Sequence, residues 1–126
     1  RDLVRSRGLG DVYKRQGLGT DTGCPYITHY DMWREGRYFH TFCGVSNAFA
    51  LHTATLGNAK IAGIDGITGS LTPGKSADLI VTAGDPLENL EALRHVSMVT
   101  MRGKLFRDPK VRKMPDCERE LDKVSC

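Results

Sequence analysis

Asp21 stands at the end of the run Gly17-Leu18-Gly19-Thr20-Asp21, and His29 and Asp31 follow it in a segment that also holds Cys24. A carboxylate at the end of a strand suits two tasks, binding a divalent cation and relaying a proton. An imidazole eight positions on could join it at the mouth of a pocket. The same residue types also make turns, because a short polar side chain after glycines readily bonds its own backbone. His29-x-Asp31 pairs two ligand types on a loop, a pattern that more often forms a solvated turn. Cys24 has no His–Asn/Asp framework around it that would mark a nucleophile. Lys75 closes a Gly69-x-x-x-x-Gly74-Lys75-Ser76 run, but the run holds a Pro-Gly turn and leads into a strand where a phosphate cradle needs a helix, so that reading is not favoured. Gly17 and Gly19 lack a third glycine, since position 22 is Thr, and the dinucleotide fingerprint fails.

These side chains depend on the elements around them. Residues 17–21 read as the end of a buried strand, and 22–29 as a loop with Gly23 and Pro25. Asp31 to Phe42 reads as a helix with Asp31 as N-cap and Gly44 as its stop. Ser46 caps a second helix running to Gly63, with Phe49, Thr53 and Leu56 on one face and a weak point at Gly57. Beyond it the pattern changes to strands and turns. Thr72-Pro73-Gly74-Lys75 has the residues of a type II turn. Ala77 to Thr82 is an apolar run suited to a strand buried on both faces. Gly84-Asp85-Pro86 is a turn, and Leu87 to Leu93 supports one or two helical turns. Val96 to Met101 and Lys104 to Phe106 form a hairpin about Arg102-Gly103. After Arg107 the chain is mostly charged, ending as a tail or a loose helix after Pro115.

The chain has 126 residues, 40% hydrophobic and 26% charged, which fits one modest globular unit and not general disorder. The net charge of +3 is concentrated at one end. Residues 1–16 hold five bases and two acids, and the remainder holds 13 of each, so no basic footprint for nucleic acid is left. No apolar run is long enough to span a bilayer, and the first residues lack the apolar core of a signal peptide. Cys24, Cys43, Cys117 and Cys126 match no zinc-ribbon spacing, and reduced thiols in the cytoplasm are expected. Residues 1–16 share no periodicity with the rest. They resemble translated adapter read-through and are set apart as a non-native leader.

The most specific stretch is Gly69-Ser70-Leu71-Thr72-Pro73-Gly74-Lys75-Ser76-Ala77-Asp78-Leu79-Ile80. With Asp21 before it and Ala54-Thr55, Asn58-Ala59 and Ala62-Gly63 in the intervening helix, it resembles the C-terminal end of the metal-dependent amidohydrolases. The wording of the loop and helix leans toward the imidazolonepropionase-like and Xaa-Pro dipeptidase-like branch. The resemblance implies an α/β fold, with residues 17–66 as the last βα unit of a TIM barrel. Residues 67–106 would be part of the accompanying small β-sandwich, leaving 107–126 as a charged tail.

It further implies that Asp21 binds a divalent metal, zinc being the expected ion. Asp21 would also take a proton from metal-held water and pass it to the leaving nitrogen of an amide or cyclic amide. His29 would sit at the substrate loop, and Lys75 and Asp78 would be structural. A small molecule or dipeptide is the implied substrate, and a homo-oligomer is compatible with the reading. The family's His-x-His, its bridging Lys and its two single His ligands are not found, and His29, His40, His52 and His95 do not fill those places. The chain is therefore expected to be an incomplete domain, inactive alone. The alternative is a non-catalytic α+β module that docks on a partner through unpaired strand edges.

Overall fold

The computed structural model describes residues 17–124; the leader expected at 1–16 lies outside them. Helix α1 spans Met32–Cys43 and ends at Gly44. Helix α2 (Asn47–His52) begins where expected, with Ser46 Oγ accepting from the Phe49 amide at 3.1 Å. The expected weak point at Gly57 is a wider turn, Thr53–Gly57, in the π form, after which α3 (Asn58–Ile61) continues the same rod. Two hydroxyls favour that widening. Thr53 and Thr55 donate back to the Phe49 and Leu51 carbonyls at 2.8 and 2.7 Å, a bond that competes with the regular helix ladder.

Three strands follow, β1 (Leu79–Thr82), β2 (Val96–Met101) and β3 (Lys104–Arg107), in an antiparallel sheet of order β1-β2-β3. Leu79 faces Thr100 and Met98 faces Arg107, and a bulge falls between Val81 and Thr82. Arg102 and Gly103, with φ of 50° and 78°, make the two-residue turn that suits the twist of the β2–β3 hairpin. A 3-10 turn, Leu90–Arg94, joins β1 to β2 and is capped by Asn89, whose side chain accepts from the Glu91 amide. Asn47 Nδ2 ties α2 to this connection through the Leu87 and Glu88 carbonyls at 3.0 and 3.2 Å. The chain closes with α4 (Pro115–Val124). The result is a mixed α/β unit with one small sheet.

Two expectations need correction. Residues 17–20 form no strand; the Leu18 carbonyl accepts instead from Asn58 Nδ2 at 2.8 Å, so this stretch is pinned to α3. A parallel strand end needs parallel neighbours, and none exists among the described residues. Strand β1 is apolar, as expected, but is not buried on both faces, for Ile80 is 50% and Val81 40% exposed. No described layer covers both sides of it. The apolar core is correspondingly small: among the described residues Trp33, Ala50, Ala59 and Leu90 are its buried hydrophobic members.

Candidate functional site

Asp21 opens a tight turn. Its φ of 52° lies in the left-handed region that Asp tolerates better than most side chains. Its carbonyl accepts from the Cys24 amide at 3.4 Å, and the Cys24 thiol donates to Asp21 Oδ2 at 3.5 Å. Thr20 and Thr22 hydroxyls bond to each other at 2.6 Å. Asp21 is exposed, and among the described residues no cation is paired to it. His29 is also exposed and packs edge-on against Tyr30, with ring centroids 5.3 Å apart. The structure places the two on one loop without bonding them to each other.

Asp31 has another role. It stands at the N-cap position of α1 without capping it, because its carboxylate is drawn sideways. Oδ2 accepts from the Thr28 hydroxyl at 2.6 Å, Oδ1 accepts from Trp33 Nε1 at 3.0 Å, and Arg34 Nε lies 3.4 Å from Oδ2. Thr28, Asp31, Trp33 and Arg34 are all buried, so the His29-x-Asp31 pair resolves into an anchor and an exposed ring. Burial alone would lower the pKa of Arg34. The hydrogen bond to Asp122 and the charges of Asp31 and Asp122 outweigh burial and hold the guanidinium above its ordinary value. Asp122, bonded to Arg34, is held below the usual carboxylate range despite some desolvation.

Glu35, which the sequence reading passed over, lies four residues after Asp31 on α1. Burial pushes its carboxyl up. It borders a cavity of about 60 Å³ with Thr20, Thr28 and Asp31, directly behind Asp21 in the chain. The four-residue spacing of two acids on one helix face was the available signal.

The stretch 67–81 is held by bonds within itself and to the hairpin. The Lys75 amide donates to the Thr72 carbonyl at 3.2 Å and Gly74 has φ of 89°, which together make the type II turn. Lys75 Nζ donates to Ser70 Oγ at 2.7 Å. Asp78 accepts from the Arg102 amide at 2.7 Å and from the Thr68 hydroxyl at 2.9 Å, and these bonds hold its carboxyl below the usual range. Asp78 therefore joins the Pro-Gly turn to the hairpin.

The donor set sets a limit on metal binding. Among the described residues no group of three or more His, Cys, Asp or Glu side chains is placed to hold an ion. Asp21 fits the part of one ligand, and the described residues supply no more than that part. Cys24, Cys43 and Cys117 are free thiols.

The described residues thus form an antiparallel sheet joined to helices, with the exposed Asp21 on the loop before them. Comparison with known proteins gives the family. The sequence profile described as "Amidohydrolase family" matches residues 5–106, a span that takes in part of the leader set apart above. The chain belongs to the amidohydrolase family. A candidate prolidase from Bifidobacterium longum superposes with a TM-score of 0.88 at 39% identity, covering 95% of this chain and 30% of that one. A Xaa-Pro dipeptidase, solved with methionine in its active site, gives 0.65 at 34% identity, covering 72% of this chain and 22% of that one. A candidate N-acetylgalactosamine-6-phosphate deacetylase of Escherichia coli strain K12 is 37% identical over 62 residues, which is 49% of this chain. The chain spans about a third of that relative's length, 32%.

Proposed function

We propose that residues 17–106 belong to a metal-dependent hydrolase of C–N bonds. Residues 17–66 would be the terminal barrel segment, in which 17–21 would pair as a strand only beside parallel barrel strands, and 67–106 part of its β-sandwich. The observation that carries this reading is the position of Asp21: a carboxylate exposed and without a cation partner among the described residues, on the loop before the helices, in a chain matched by the amidohydrolase profile. In a barrel, residues at the C-terminal ends of strands and in the loops after them face the active site. A divalent ion, zinc by the resemblance, would supply activated water at neutral pH. Asp21 would contribute one oxygen ligand and carry a proton to the leaving nitrogen. His29, exposed on the same loop, would border the substrate.

The substrate class favoured is a dipeptide or related amide. The likeness to the candidate prolidase extends over 95% of the chain, whereas that to the candidate deacetylase covers 49%. The described residues alone are expected to be inactive, since one carboxylate does not hold a catalytic ion.

The test is kinetic. The complete product of the source gene should hydrolyse Xaa-Pro dipeptides in the presence of zinc or manganese. Asp21→Asn should lower kcat by roughly 100- to 10,000-fold, the range expected when a proton relay is lost. An unchanged kcat in Asp21→Asn removes Asp21 from the mechanism. Turnover of N-acetylated amino-sugar phosphates in place of dipeptides would reassign the substrate.

A further inference from the structure

Helix α4 lies beyond residue 106, where the family match ends, yet it reaches the loop that carries Asp21 and His29. Its acidic face presents Glu118 and Asp122, one turn apart. Asp122 Oδ1 lies 2.8 Å from Arg34 Nη2, and its other oxygen lies 3.4 Å from Arg94 Nη2. Glu118 sits 3.6 Å from Arg94 and 3.5 Å from Lys113. Arg34 and Arg94 both stack on Trp33, at 4.6 and 5.4 Å from the ring centroid. From Arg34 the contacts run to Asp31 and from Asp31 to Thr28, inside the loop.

Two further contacts reach the loop from the same side. The Met114 amide, at the start of α4, donates to the Tyr30 hydroxyl at 2.9 Å, and Tyr30 carries the His29 ring against it. Leu121 on α4 and Thr20, the residue before Asp21, line the same cavity of about 60 Å³. The helix and the residue before it therefore reach the loop at Tyr30 and, through Arg34, at its buried anchor Asp31, and share a cavity with Thr20.

We infer that α4 is a strap that fixes the loop bearing Asp21 and His29, with Asp122 as a positioning residue acting through Arg34 and Asp31. The catalytic meaning of the held loop rests on the hydrolase reading; the mechanical claim does not. Arg34 is buried and Asp122 about half exposed, so salt weakens their 2.8 Å contact only in part. The strap is released by removing or reversing the charge of Asp122.

The test uses the 126-residue chain and amide hydrogen exchange, together with the emission of Trp33, the single tryptophan. Asp122→Lys should speed exchange at residues 28–31 by roughly tenfold through local opening. It should also shift Trp33 emission to the red, with β2 protection unchanged. Asp122→Glu should restore both signals. Glu120→Lys, which makes the same charge change on α4 at a residue paired with Lys123 and, among the described residues, with no other cation, should leave them alone.

If loop exchange stays at the parent rate while α4 loses protection in Asp122→Lys, the strap is refuted. If Asp122→Lys unfolds the whole chain, the milder Asp122→Ala, which removes the contact to Arg34 without adding a like charge, decides. Loop and α4 protection falling together supports the strap, and loop protection persisting after α4 is released overturns it. No metal and no turnover enter these measurements, so failure of the hydrolase reading would leave their outcome standing.

Discussion

Gly69 is the position where one methyl group should cost most. Its φ is 91°, and an added Cβ would stand 2.5 Å from Ala59 Cβ, 3.2 Å from Leu56 Cα and 3.3 Å from the Thr55 carbonyl oxygen. Carbon atoms in contact prefer about 3.5–4.0 Å, so α3 would have to shift by roughly 1 Å. The left-handed backbone costs an L-residue about 1–2 kcal/mol. The overlap adds about 1–3 kcal/mol, and the stiffer unfolded chain returns about 0.4–1 kcal/mol.

Gly69→Ala should therefore destabilise by about 2–4 kcal/mol, a shift in urea midpoint of about 1–2 M at an m-value of about 2 kcal/mol/M. Gly74→Ala is the matched control, with φ of 89° and nothing within 4 Å of the added carbon. It should cost about 1 kcal/mol, the strain alone. Trp33, held between two guanidinium groups, reports both transitions by fluorescence. Adding Ala59→Gly to Gly69→Ala should recover part of the loss, despite about 1 kcal/mol of lost helix propensity. If the two glycine variants unfold at the same urea concentration, the close approach of residue 69 to the helix is not what that glycine serves.

Other expectations concern charges. Arg34→Ala leaves the buried Asp31 carboxylate without its cation and should cost about 3–5 kcal/mol, read as a lower midpoint in urea unfolding. The Asp78 carboxyl is held below its ordinary 3.8, so its support for the hairpin turn is present above that pH and fades as pH falls through the depressed folded value. The protection of the Arg102 amide, its exchange taken relative to an unstructured amide at the same pH, should fall over that acidic window, and Asp78→Asn should abolish the dependence. Burial raises the Glu35 carboxyl above 4.5, so ionisation there opposes folding as pH rises past that value. Glu35→Gln should stabilise the chain at about pH 7 and have little effect at about pH 4, seen in paired urea midpoints.

Local signals in the sequence carried far in some places. Ser46, the Pro73-Gly74 turn and the Arg102-Gly103 hairpin act through bonds between residues close in sequence, and their residue types announce them. Asp31 shows where such reading stops. It occupies the capping position, but its carboxylate goes to Thr28, Trp33 and Arg34 because the site is buried and three donors converge there. The strap was not legible either. A tail or a loose helix after Pro115 was legible, and the helix forms, but its partners Arg34 and Arg94 lie far back in the chain. Exposure of β1 could not be read from its apolar run, since burial depends on which layers are present. The loop that carries Asp21 and His29 was legible from its Gly23 and Pro25, whereas Glu35 was not, because its shift comes from packing around α1.

The central claim is that Asp21 is one ligand of a larger metal site whose other ligands precede residue 17. Long-read sequencing of the source locus across the codons for Gln16 and Gly17 tests it most directly. The account predicts a reading frame that continues upstream through barrel strands bearing His-x-His and two later single His ligands. A frame that starts at or near Arg1 would contradict it, and would leave the non-catalytic α+β module as the better account of this chain.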